Sequence, residues 1–591
     1  MLMLSELPVE ILLEIIQRLP IATVVTLSGL SKSWATFMAT NESSVYHNIS
    51  KRHGYASGGD SDVAAPSEGW KASFIRKFQI ELRWIGKLPG NLSRVKVPGK
   101  TGFFHRIKVD EEAGYVINTF AEGGLVVSDI HDHKMLWSLD EEACGPFVHC
   151  EHDQGYIVFN RFDNHKEVWR RKIDVLDIPE ESWPSGSHNK PDEIMMKGNR
   201  VAEGRYLDAG RSRDPDHLRG QFVPWALLLV PDDGRAFKLT RGTLLVSSYQ
   251  RAFLFDVEKA ELQQTIEVEG QAPAGRLRYV DVNEEHVFIV CTNQLSVYDR
   301  ASGSRVLAIP AGRQHWDFYA SPENQWRRTE GTLNQCELSF RQAECAETYR
   351  TDGFHAVHVS SCGKHLAIKA ISNRVILVQD FWRLLPTLSS SSSPALVPSP
   401  ITLKDISKQV DFYTDHPSLE TEGYLAYDCG KVAIIGTHGI YVLVLDSILD
   451  QLGEIRPLVK DDSLRTEHVS SEHTPTWPNL RLRQVEFDDP EMFDEVTFLC
   501  LQLTKTKLFF SVIPDDEVGR WDGNMWCYDF ASSPSSTAAR LPEEGDWSEK
   551  GDVDSEDDRD AVQDWDEEDD GDDWDEVEAR LTGDMRRTGR K

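Results

Sequence analysis

Two short stretches of this chain bring metal-ligating side chains close together. Asp129, His131 and His133 alternate, and an extended strand would carry all three on one face, as convergence on a metal ion requires. They fall where a turn is expected after a strand, and polar side chains are ordinary there. His149-Cys150-Glu151-His152 is the second stretch, and in a strand His149 and His152 would face opposite ways. Neither stretch is assigned a metal, and no cofactor is expected. The sequence has no glycine-rich phosphate loop, nucleophile elbow or His-Glu-x-x-His pair. Its cysteines are Cys144, Cys150, Cys291, Cys336, Cys345, Cys362, Cys429, Cys500 and Cys527. Nine is an odd number, and no Cys-x-x-Cys pair occurs among them. Most lie in apolar, strand-like runs, as free thiols do in a reducing compartment. The expectation is a protein without catalytic residues.

The elements that could position a binding surface are easier to read. At 591 residues the chain exceeds what one hydrophobic core usually holds, so several structural units are expected. Hydrophobic residues make up 40% and charged residues 27%, an ordinary balance for a globular protein. The formal charge of −32 is uneven: from Glu543 to Glu578 there are 21 acidic and 2 basic residues. No clustered Lys and Arg argue for nucleic acid as a partner. No run of about 18 apolar residues predicts a membrane span. Glu6, Pro8, Glu10 and Glu14 interrupt the N-terminal apolar stretch, so it is not read as a signal peptide.

That N-terminal stretch, Leu4 to Trp34, reads as two amphipathic helices. Pro8 suits a first helical turn, and Ile11, Leu12, Ile15, Ile16 and Leu19 then recur at three- and four-residue steps. Pro20 should end this helix and Thr23 should cap the next, which carries Val24, Leu27 and Leu30 with Trp34 one turn on. Two such helices cannot form a stable unit alone and need an external surface.

The pattern Leu7-Pro8-x-Glu10-Ile11-Leu12, then Leu19-Pro20, Val24-Val25-x-Leu27-Ser28 and Leu30-Ser31-Lys32-x-Trp34, resembles an F-box. That resemblance implies a small helical module docked on the Skp adaptor of SCF-type ubiquitin ligases and, through it, on a cullin. It implies adaptor-binding roles for Leu7, Pro8, Ile11, Leu12, Ile15, Leu19, Leu27 and Leu30. Some of these must instead hold the helices together. Three positions depart from the family pattern: Thr23 for an acidic residue, Gly29 for an aliphatic, and Tyr46 for Trp. The stretches Val45–Tyr55 and Trp70–Phe78 resemble the helical connector that follows many F-boxes, ending near Trp84.

From about residue 96 no long amphipathic helix is evident. Paired β-rich runs recur, separated by Gly, Asn or Asp and often closing on Asp: 114–118 with 124–129, 155–160 with 168–170, 243–247 with 252–256, and 286–290 with 295–299. Three more pairs follow, 365–368 with 375–380, 432–435 with 440–446, and 507–511 with 525–529. Where insertions are absent the spacing is near 40 residues, as from Asp129 to Trp169, which is the period of a four-stranded propeller blade. The runs resemble degenerate WD-type repeats, most closely at His355–Leu366. Seven blades are favoured. Six or eight blades, or two β-sandwiches, remain open. Long interblade segments are expected at about 178–234, 310–352, 382–421 and 450–493, the third including the low-complexity run Ser389–Ser393.

The expected fold class is therefore α+β multidomain: an F-box at 1–50, a helical connector at 51–95, an all-β propeller at 96–532 and a disordered acidic tail at 533–591. The resemblance implies the substrate-recognition subunit of a ubiquitin ligase, cytoplasmic or nuclear, with an unidentified protein substrate on the propeller. Trp547, Trp565 and Trp574 interrupt the acidic tail. This leaves open a second reading, a propeller scaffold or chaperone whose tail holds a basic protein.

Overall fold

A computed structural model describes residues 7–19, 21–52, 55, 66–97, 102–161, 163–179, 184, 189–208, 218–268, 275–312, 318–320, 335–337, 341–342, 353–371, 374–388, 396–397, 401–412, 424–428, 430–436, 439–445, 481–485, 496–514 and 524–532. The acidic tail, Ser389–Ser393 and Pro20 lie outside these residues.

Among the described residues the first elements are five helices: α1 (Val9–Ile16), α2 (Ile21–Leu30), α3 (Lys32–Thr40), α4 (Glu42–Arg52) and α5 (Trp70–Trp84). Pro8 is the N-cap of α1, with φ −54° and ψ 145°, where its missing N–H removes no helical bond. The stretch to Trp34 holds the start of a third helix rather than two helices. Ser31 breaks the run: its hydroxyl accepts the Trp34 N–H at 3.2 Å and caps α3. Thr23 caps nothing, because α2 already begins at Ile21 and Thr23 lies in its first turn. Ile16, Val24, Leu27, Met38, Val45, Tyr46, Ile49, Trp70 and Phe74 form one buried cluster, so α4 and α5 complete the core that the first helices cannot build alone.

Among the described residues, seven sheets of four or more strands follow, each built on four antiparallel strands, and they form a ring. Each expected pair of runs forms the two middle strands of one sheet, such as Tyr115–Phe120 beside Leu125–Asp129 in the first and Lys507–Pro514 beside Asn524–Asp529 in the last. These strands are buried on both faces because neighbouring blades cover them, hence their nearly continuous apolar runs. Tight turns join them. At Asp153-Gln154-Gly155-Tyr156, Gln154 (φ 48°) and Gly155 (φ 78°) give the left-handed pair that a two-residue hairpin needs.

The seams between blades are apolar clusters. Ile117, Val127 and Trp137 of the first blade meet Ile157, Phe159 and Trp169 of the second. Val116, Phe120 and Val126 face Phe509, Met525 and Cys527 of the seventh. Seven strands line the axis: Phe104–Asp110, Cys150–Asp153, Ala236–Thr240, Leu277–Val282, Phe354–Val359, Leu425–Asp428 and Val496–Leu503.

Three features differ from expectation. Asn91–Val95, placed in the connector, is the outer strand of the seventh blade, paired antiparallel with Asn524–Asp529. The N-terminal strand of the propeller thus closes the ring on its C-terminal blade. Second, a sixteen-residue helix, α6 (Glu193–Asp208), occupies the insertion after the second blade's third strand, where no long helix was expected. Its Met195 and Ala202 are buried against Trp137, Trp169 and Phe222, so it straps the outer edges of the first two blades. Third, the 310–352 insertion adds strands to two blades: Phe318–Ala320 lies parallel to Ser407–Asp411 of the fifth, and Gln335–Glu337 pairs with Arg481–Gln484 of the sixth.

Among the described residues six cysteines are free; Cys144, Cys150, Cys291, Cys500 and Cys527 are buried, and Cys362 is exposed. No described helix is long and apolar enough to cross a membrane.

Candidate functional site

The helical unit divides its apolar residues into two sets. Leu12 and Leu27, both assigned to the adaptor from sequence, are buried at 5% and 6% exposure, Leu27 within the core cluster of the unit. Leu7, Ile15 and Leu19 are half-buried. Pro8 is exposed, Ile11 is 48% exposed and Leu30 is 65% exposed. Val9, which the sequence reading passed over, is 45% exposed. The exposed set spans the start of α1 and the end of α2. It is apolar surface that a partner could cover. Its carbon-only chemistry offers shape and desolvation, not catalysis.

The other helices hold this surface in place. Arg52 Nη1 donates to the Gln17 carbonyl at 2.6 Å, tying α4 to the end of α1. Lys71 and Glu42 pair at 2.7 Å between α5 and α4. Tyr46 fits the core without the larger indole of the family pattern, its ring 5.6 Å from that of Phe74.

The C-terminal half of α5 belongs to the propeller. Ile80, Trp84 and Ile85 are buried with Ile440, Val442, Leu508 and Phe510 in the seam between the sixth and seventh blades. Trp84 Nε1 donates to the Lys505 carbonyl at 3.2 Å. Arg483, 1% exposed, donates to the Arg83 carbonyl and to the Tyr528 hydroxyl. Its guanidinium lies over the rings of Tyr528 and Phe530. One helix therefore has its N-terminal half in the helical unit and its C-terminal half in the ring.

The second polar concentration is at the propeller axis. Glu151 of the second blade accepts Lys108 Nζ of the first at 2.9 Å and Lys238 Nζ of the third at 3.2 Å. Burial alone would raise the Glu151 carboxyl, but Lys108 and Lys238 overcome this and hold it well below the usual carboxylate range. Burial works against the Lys238 ammonium, and Glu151 keeps it charged, above the ordinary lysine value. Asp281 of the fourth blade accepts the Val359 N–H of the fifth at 2.9 Å.

The two metal-like stretches resolve differently. Asp129 ends a strand, and its carboxylate accepts the N–H groups of His131 at 2.7 Å and Asp132 at 3.1 Å, forming the expected polar turn. His149 turns to Glu151 at 3.1 Å, while His152 lies 3.1 Å from the Tyr115 hydroxyl on the other face. Among the described residues no group of three or more His, Cys, Asp or Glu side chains could hold a metal ion.

Residues 4–43 match the F-box domain. Three solved structures similar to the chain can be named. The crystal structure of the RRP9 WD40 repeats is 9% identical, over 75% of this chain and 99% of that one, at TM-score 0.38. The structure of U3-55K is 10% identical, over 74% and 98%, at 0.37. The β-propeller domain of Cps50 (Swd1) from Myceliophteria thermophila is 8% identical, over 74% and 99%, at 0.37. No curated protein matches. The chain thus carries an F-box domain ahead of a seven-bladed propeller, the propeller resting on its strand pairing and the F-box on its family match.

Proposed function

We propose that this F-box-bearing chain is a substrate-recognition subunit of an SCF-type ubiquitin ligase: the helical unit docks on the Skp adaptor, and the propeller holds a protein substrate. The observation that carries the reading is the exposed apolar set Pro8, Val9, Ile11 and Leu30 at the start of α1 and the end of α2. F-box domains bind that adaptor in SCF complexes, and the adaptor links to the cullin. Of the residues assigned from sequence, Pro8, Ile11 and Leu30 would touch the adaptor, with Leu7, Ile15 and Leu19 at the margin. Leu12 and Leu27 would act from beneath by holding α1 and α2. Ubiquitin transfer itself belongs to other subunits, so no catalytic residue is required of this chain.

The test is co-purification with the Skp adaptor of the full chain and of an Ile11→Asp, Leu30→Asp double variant. Both positions are exposed, so charge there leaves the fold intact and opposes docking. The expected result is adaptor recovered with the wild type and lost with the variant. Equal recovery from both, or none from either, overturns the reading.

A further inference from the structure

We propose that the propeller axis is an acid-sensitive latch, in which the neutral ring of His149 holds the first three blades in register. Five imidazoles stand on or beside the axial strands: His105, His149, His152, His355 and His358. The geometry at His149 determines its protonation state. An arginine only donates, and Arg106 Nε of the first blade points at His149 Nδ1 from 3.0 Å. Nδ1 therefore carries the lone pair and Nε2 the proton, which is donated to Glu151 Oε1 at 3.1 Å. The same carboxylate receives Lys108 and Lys238.

The groups facing this ring come from three blades. The first gives His105, Arg106 and Lys108, the second Glu151, and the third Lys238 through Glu151 and the Phe237 ring edge-on at 4.7 Å. A proton on Nδ1 would replace the Arg106 hydrogen bond with two opposed cations. It would also set three cationic groups beside Arg106 on one carboxylate. Burial, with Arg106 and Lys108 against Glu151, pushes the His149 ring down to about 4. His358 of the fifth blade, 5.1 Å from the Tyr279 ring and 4.0 Å from Asp281, is pushed to about 3 by burial and by Lys238 and Lys108, with Glu151 opposing. His152 is pushed to about 4 by burial, with Asp110 opposing and Arg171 and Lys108 assisting.

The sign follows from proton counting. An unfolded chain takes a proton on each of these rings near pH 6.5, and the folded ring takes none until about 4. Between those values the unfolded state binds more protons, so opening is favoured as pH falls, by up to about tenfold per pH unit for each ring.

The test uses the full chain and a His149→Gln variant. Glutamine can still accept from Arg106 and donate to Glu151, but it does not titrate. Hydrogen exchange, corrected for its intrinsic pH dependence, is followed from pH 7.5 to 5.0. In the wild type, strands 104–110, 150–153 and 236–240 should lose protection on acidification while helix α4 does not. The variant should lose up to about tenfold less between pH 6 and 5. Equal losses in both proteins, or loss in α4 in step with the blades, overturns the proposal. If the variant is already unprotected at pH 7.5, the wild-type imidazole decides. Titration of His149 by nuclear magnetic resonance near pH 6.5 refutes the latch, and a ring still neutral at pH 5.5 supports it.

Discussion

The indole of Trp84 lies stacked on the phenyl ring of Phe530, with 3.4 Å between centroids and 19° between planes. Trp84 is the last residue of α5, and Phe530 follows the third strand of the seventh blade. Replacing Trp84 with Ala removes a side chain that is fully buried. The expected cost is about 3–5 kcal/mol. Urea unfolding of the full chain should register it as a fall in midpoint, with α5 losing hydrogen-exchange protection first. Trp84→Phe should recover much of the packing but not the bond to Lys505.

Arg483 supplies the polar half of the same junction. Arg483→Met keeps the apolar contact but leaves the Arg83 carbonyl and the Tyr528 hydroxyl without this donor. A loss of about 2–4 kcal/mol is expected, since buried acceptors are stripped of a charged donor. Arg483→Lys should rescue only part, because one ammonium cannot reproduce the guanidinium fork. Chemical denaturation of the three proteins side by side checks the order.

Glu151 is expected to be the most costly single change at the axis. Glu151→Gln leaves Lys108 and Lys238 facing each other without a carboxylate, at about 3–5 kcal/mol. The wild-type carboxyl titrates well below its ordinary range. Its contribution is therefore full above the unfolded value near pH 4.5 and disappears as pH falls toward the folded value. Thermal melts of wild type and variant should converge as the pH is lowered below about 4.5.

Gly29 is the opposite case. It sits inside α2 with nothing within 4 Å of where a Cβ would stand. Gly29→Ala should stabilise the helical unit by about 0.5–1 kcal/mol through helix propensity alone. A rise in its melting temperature without a change in the propeller transition is the expected outcome.

Gly198 of α6 tests the strap. A Cβ there would meet the Ala143 Cβ at 2.9 Å. Gly198→Val should lift the helix from the blades, and limited proteolysis between 193 and 208 should accelerate accordingly.

The middle strands of every blade were legible because two neighbouring blades cover them, and that demand is written locally as apolar runs bounded by turns. The closing strand was not. Asn91–Val95 has a mixed composition whose role depends on a partner 434 positions away, as between Ser93 and Cys527. The helix α6 was hidden by polar, proline-bearing flanks and by Gly198 and Gly204, both poor helix formers, within its own span. In the helical unit, periodicity found the apolar stripe but could not tell Leu12 from Ile11. They are adjacent on the chain, and only the packing around α1 decides which one is covered, Leu12 at 5% and Ile11 at 48% exposure. His149 was noticed as a candidate ligand and left unassigned. Its neighbour Glu151 was visible in sequence, but Arg106, Lys108 and Lys238 reach it only through the ring.

Closing the ring with Asn91–Val95 also sets an order of events during synthesis. At about 5–20 residues per second, that strand waits roughly 20–90 s for its partner to leave the ribosome. Until Phe530 arrives, Trp84 has no ring to stack on, and the helical unit is tethered to an open arc of blades. A translation product that stops before residue 524 would carry the F-box match but lack Asn524–Asp529, the strand that joins Asn91–Val95 to the rest of the seventh blade. Completion of the chain is thus what couples the adaptor-facing end to the propeller.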